Sequence, residues 1–153
     1  KSTLMRILAG LLRPLSGEIR REGQVAMLDE RHALDAHLPL GRALDFWARC
    51  DRVPADRMAE VARATGVADL IDVPVRYLST GQRKRAALAR TIAGHAPIWL
   101  LDEPLNGLDS EWARRVEDLM RDHVAGGGIV LVASHQMLER LNPRALAIAG
   151  YAP

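Results

Sequence analysis

A chain of 153 residues, 48% hydrophobic and 26% charged, is sized and composed to bury one apolar core, which excludes a disordered tail. Its 21 basic residues are interleaved with 19 acidic ones, so the net charge of +2 gives no case for a nucleic-acid partner. The single cysteine, Cys50, excludes a disulfide framework and points to a reducing, cytosolic setting, and the apolar runs are far shorter than the ~20 residues that span a bilayer.

From Ser2 the apolar residues Leu4, Ile7, Leu8, Leu11 and Leu12 recur at helical spacing until Pro14 and Gly17, which predicts an amphipathic helix opened by Lys1-Ser2-Thr3. A short strand over Glu18–Arg20, a turn at Glu22-Gly23 and an apolar strand over Val25–Leu28 are predicted next. Leu40 to Leu70 is helical and polar, with Pro54 starting one helix and Gly66 ending it, and Ser79 opens another that runs to about Gly94. Pro97-Ile98-Trp99-Leu100-Leu101 is apolar on both faces, the mark of a buried parallel strand, and ends in Asp102-Glu103. Ser110 to Val124 is a predicted helix stopped by Gly126-Gly127-Gly128, and Ile129–Ala133 a second buried strand ending in Ser134-His135. Strands alternating with helices imply a parallel sheet, which binds ligands just past the carboxyl ends of its strands.

Four short stretches carry chemistry. Lys1-Ser2-Thr3 before an apolar helix matches the tail of a phosphate-binding G-x-x-x-x-G-K-[ST] loop, whose ammonium reaches the β/γ-phosphates and whose hydroxyl ligates Mg²⁺; alone it is equally ordinary helix capping. In Leu78-Ser79-Thr80-Gly81-Gln82 the pair Ser79 and Gln82 forms a capping box, which leaves Gly81 unexplained. A glycine there costs roughly 1 kcal/mol of helix stability yet bares backbone amides to an anion at a positive helix end. Asp102-Glu103 after an apolar strand suits an Mg²⁺-holding aspartate beside a carboxylate that polarises water. His135 ends the next strand, where a lone histidine is more often a structural hydrogen-bonder.

Together these stretches resemble the ATP-binding subunits of the ABC family: Leu78 to Gln82 matches the signature, Leu108-Asp109 the D-loop and Ser134-His135 the switch histidine, in order along the whole chain. The resemblance implies an α/β fold, a P-loop NTPase with a RecA-like parallel-sheet core (about 1–36 and 97–153) and an ABC-type helical subdomain (about 37–96). It implies that Lys1, Ser2 and Thr3 hold the triphosphate of ATP, Ser2 and Asp102 serve Mg²⁺, Glu103 is the catalytic base and His135 holds the γ-phosphate and attacking water. Ser79, Gly81 and Gln82 would close on the ATP of a second ATP-binding subunit, with Asp109 tying the two copies together in a nucleotide-sandwich dimer. Integral membrane permease subunits would recruit the chain peripherally to the cytoplasmic face of the inner membrane, with no direct nucleic-acid contact.

The family carries phosphate-loop glycines and an adenine-stacking aromatic upstream of Lys1, so the chain as given is expected to bind ATP poorly. Where most members place a glutamine after the second strand, this sequence has Asp29 and Glu30. Within the family, Tyr77-Leu78-Ser79 and the run Ala96 to Pro104, with Trp99 inside its strand, look most like the ATP-binding subunits of haem exporters of cytochrome c maturation. A soluble ABC ATPase acting on nucleic acid or the ribosome is the alternative, although nothing between Gly17 and Leu78 is long enough for the coiled-coil insertion expected of a repair enzyme.

Overall fold

Among the described residues three parallel strands, β1 (Val25–Leu28), β2 (Ile98–Asp102) and β3 (Ile129–Ala133), form a sheet in the order β1-β2-β3. The computed structural model describes residues 1–29 and 31–147. Val25 pairs with Ile98, Ile98 with Ile129, and Asp102 with Ala133, so β2 and β3 end side by side. Around them lie α1 (Ser2–Leu8), α2 (Leu40–Cys50), α3 (Ala55–Ala64), α4 (Thr80–Ala93) and α5 (Ser110–Ala125).

Alternation along β2 sorts its side chains between two cores. Trp99 and Leu101 face the larger one, which holds Leu44 of α2, Val61 of α3, Ala86 of α4 and Val116 of α5. Leu100 faces the smaller one with Met5 of α1 and Ala133. Asp102, two residues on from Leu100, therefore emerges on the side covered by α1, the helix that Lys1 opens. Leu101 is fully buried, and truncating such a side chain to alanine costs about 2–5 kcal/mol.

Two expectations fail. No strand forms over Glu18–Arg20, because no neighbouring strand among the described residues pairs with it and Ile19 is exposed. The first helix ends at Leu8, before Leu11 and Leu12, because Gly10 takes φ +79° and lets Leu11 N–H donate to Arg6 O (2.8 Å) and Gly10 N–H to Ile7 O (3.0 Å). That left-handed cap satisfies the last carbonyls and turns the chain away. The other predicted helices and strands form within a residue or two of their expected ends, and no helix among the described residues is long and apolar enough to cross a membrane.

Candidate functional site

The carboxyl ends of β2 and β3 gather Asp102, Glu103 and His135, and Lys1 reaches them from α1. Glu103 N–H donates to Ala133 O (2.7 Å), extending the ladder one step past the strand. The same residue has φ +48°, a left-handed conformation that side chains with a Cβ seldom adopt, and fully buried Pro104 follows it. Backbone strain and a rigid turn thus aim a carboxylate out of the sheet. Its oxygens meet the next loop: His135 N–H donates to Glu103 Oε2 at 3.4 Å, and His135 Nε2 lies 3.7 Å from Oε1. The His135 side chain is 82% exposed and that of Glu103 19%, so the histidine lies open to solvent and the carboxylate is half-buried.

Lys1 joins this cluster from α1. Its Nζ donates to Ser134 O at 3.0 Å, placing the ammonium beside the residue that precedes His135. Ser134 Oγ accepts from Gln136 N–H (2.9 Å), which shapes that loop from within. Ser2 and Thr3 lie exposed in the first turn of α1, and Asp102 is 3% exposed at the end of β2. One ammonium, two hydroxyls and two carboxylates are hard donors suited to a magnesium-bound triphosphate. Among the described residues no group of three or more His, Cys, Asp or Glu could cage a metal.

Ser79, Gly81 and Gln82 form a second group at the start of α4. The capping box is present: Gln82 N–H donates to Ser79 Oγ (3.2 Å), and Ser79 N–H to Gln82 Oε1 (2.8 Å). Gly81 also has a packing role, since a Cβ there would lie 3.0 Å from Gly107 O. The start of α4 therefore leaves no room for a side chain at position 81 beside the loop before α5, whose Asp109 caps α5 by accepting from Trp112 N–H (2.9 Å). Among the described residues no hydrogen bond or ion pair joins Ser79, Gln82 or Asp109 to Lys1, Glu103 or His135.

Three features went unseen in the sequence. Ser134 serves through its carbonyl, which no side-chain pattern reveals. Trp99 stacks on His123 (centroids 3.8 Å apart, planes 12° from parallel), a pairing of residues distant in the chain. In the loop after β1, Asp29 Oδ1 accepts from Arg31 N–H (3.0 Å), and His32 has a buried, unpartnered Nδ1. Burial, then the charges of Lys84 and Arg83, pull the His32 pKa down. Glu30 lies outside the described residues.

Residues 1–106 match the family model described as ABC transporter. The chain is 58% identical over 153 residues to the cytochrome c biogenesis ATP-binding export protein CcmA of Novosphingobium aromaticivorans, covering 100% of this chain and 78% of that protein. It is 53% identical over 135 residues to the protein of the same name from Sphingopyxis alaskensis, covering 88% and 70%. Among solved structures, an RNase-L Inhibitor superposes with a TM-score of 0.70 at 28% identity; the match covers 86% of this chain and 26% of that one.

Proposed function

Given that the chain belongs to the ABC transporter family, as an ATP-binding subunit, we propose that it hydrolyses ATP to drive a haem exporter of cytochrome c maturation. The observation that carries the ATPase reading is the convergence of Lys1, Glu103 and His135 at the paired ends of β2 and β3. For the exporter, the support is 58% identity across the whole chain to a protein bearing that name. The ribosomal alternative rests on a fold match at 28% identity to a solved structure described as an archaeal ribosome recycling factor in complex with a ribosomal stalk protein.

Lys1 neutralises the transferring phosphate, with Ser2 and Thr3 bonding beside it at the opening of α1. Mg²⁺ supplies Lewis-acid charge when bound, and Ser2 and Asp102 are the residues that would hold it. Glu103, poised by its left-handed backbone, takes the proton of the attacking water, and His135 orients that water and the γ-phosphate. Ser79, Gly81 and Gln82 complete the site of a second copy, with Asp109 at the seam. The core covers about 1–36 and 97–153 and the helical subdomain about 37–96. Permease subunits recruit the protein to the cytoplasmic face of the membrane, and no nucleic acid is contacted.

Glu103→Gln in the full-length protein should lower turnover by roughly 10²-fold or more and accumulate an ATP-bound dimer in light scattering. Turnover near wild type would remove Glu103 from the base role. Deleting the gene should abolish haem-stained c-type cytochromes; an unchanged stain would leave an ABC ATPase with a different cargo.

A further inference from the structure

Beyond the ATP site, three helices meet at one arginine. Arg85 lies on α4 one turn after Gly81, and its Nη1 donates to Gly66 O (2.8 Å) and Thr65 O (3.3 Å), just past α3. The same guanidinium stands 4.0 Å from the ring centroid of Trp112, in the first turn of α5. Arg115 also lies over that ring, at 4.5 Å, and is itself held by Glu111 at 2.6 Å. Gly66 makes the joint possible: φ is +64°, and a Cβ there would run into the Trp112 ring and come within 2.6 Å of Arg85 Nη1.

The joint sits directly behind the surfaces assigned to a second copy. At the tip of α4, a Cβ on Gly81 would lie 3.0 Å from the carbonyl of Gly107; one turn in, Arg85 stacks on Trp112, whose N–H is capped by Asp109. Burial lowers the Arg85 pKa and Asp109 acts against it, so Asp109 is electrostatically coupled to this arginine. Resting on the proposed two-copy ATP site, we propose that Arg85 is a positioning residue of the ATPase: by bridging the end of α3 to the face of Trp112, it holds the Ser79–Gly81 tip at a fixed distance from Asp109, so that signature and D-loop meet the second copy as one unit. A planar fork that bonds two carbonyls while stacking on an indole is a task for arginine that lysine cannot perform.

The test uses the full-length protein with Arg85→Ala, Arg85→Lys, Trp112→Leu and Trp112→Phe. It reads steady-state kcat and KM for Mg-ATP, nucleotide affinity of the monomer, and ATP-driven dimerisation in a Glu103→Gln background. A misplacement of about 1 Å far from the reacting atoms can cost 10²-fold, so Arg85→Ala should lower kcat at least about ten-fold. Monomer affinity should stay within about two-fold, and dimerisation should need about ten-fold more protein, because α1 and its lysine are untouched. Arg85→Lys should fall with Arg85→Ala, Trp112→Phe should keep most activity, and the Arg85→Ala/Trp112→Leu pair should be no worse than Arg85→Ala alone. Should Arg85→Ala fail to fold, Arg85→Lys and Trp112→Leu carry the same comparison. A kcat within two-fold of wild type, additive losses, or a loss confined to thermal stability would overturn the role. Failure of the Arg85-intact Glu103→Gln protein to dimerise would instead remove the two-copy site, a separate result.

Discussion

Gly66 and Glu103 both hold left-handed backbone, for opposite reasons. At Glu103 a side chain is kept in spite of the strain, which is common where a reacting group must be aimed, and the bond from its N–H to Ala133 O holds the geometry. At Gly66 the absence of a side chain is itself the requirement, since the Trp112 ring and Arg85 occupy the space a Cβ would take. Replacing glycine by alanine within a helix normally stabilises it, but Gly66→Ala should destabilise the fold by about 2–4 kcal/mol, from left-handed strain plus displacement of the ring. A urea titration reads this as a lower midpoint at unchanged slope, and an unshifted midpoint would mean that the α3–α5 joint repacks without cost.

Helices and buried strands were largely legible because each carried a local signal. Pro54 stands at the start of α3, Gly94 at the end of α4, and an unbroken apolar run forms β2. The capping box at Ser79 and Gln82 was readable for the same reason, since cap and partner are three residues apart. Glu18–Arg20 shows the limit: alternation gives a strand no partner, and without one the segment stays irregular. Helix α1 shows another, because its apolar spacing continues through Leu12 while Gly10 reverses the backbone at the end of the second turn. Within the site, Glu103 and His135 were identifiable one by one, but their pairing depends on Asp102 lying opposite Ala133, a register set by the sheet. That a Cβ at position 81 would crowd Gly107 O was equally hidden, and it gives that glycine a packing role beside the amide exposure expected of it.

At the scale of the whole molecule the two groups of site residues stand apart, the lysine and carboxylates at the ends of β2 and β3, the serine–glycine tip at the start of α4. If each ATP is held by the first group of one copy and the second group of another, lesions in the two groups must complement. Lys1→Ala spoils the grip of its own copy but leaves its α4 tip intact. Gly81→Asp keeps the lysine but puts a carboxylate where the neighbour's phosphate belongs, a like charge that opposes closure. Each full-length variant alone should be inactive, because every site in its homodimer contains the lesion. When equal amounts are unfolded together and refolded, about half of the dimers are mixed, and each mixed dimer has one of its two sites free of both lesions, so ATPase activity should recover toward roughly one-quarter of wild type. Recovery should fade on dilution as dimers part. Activity no greater than the sum of the separate variants would mean that both groups act on the same copy, and the two-sided grip on ATP would be lost with it.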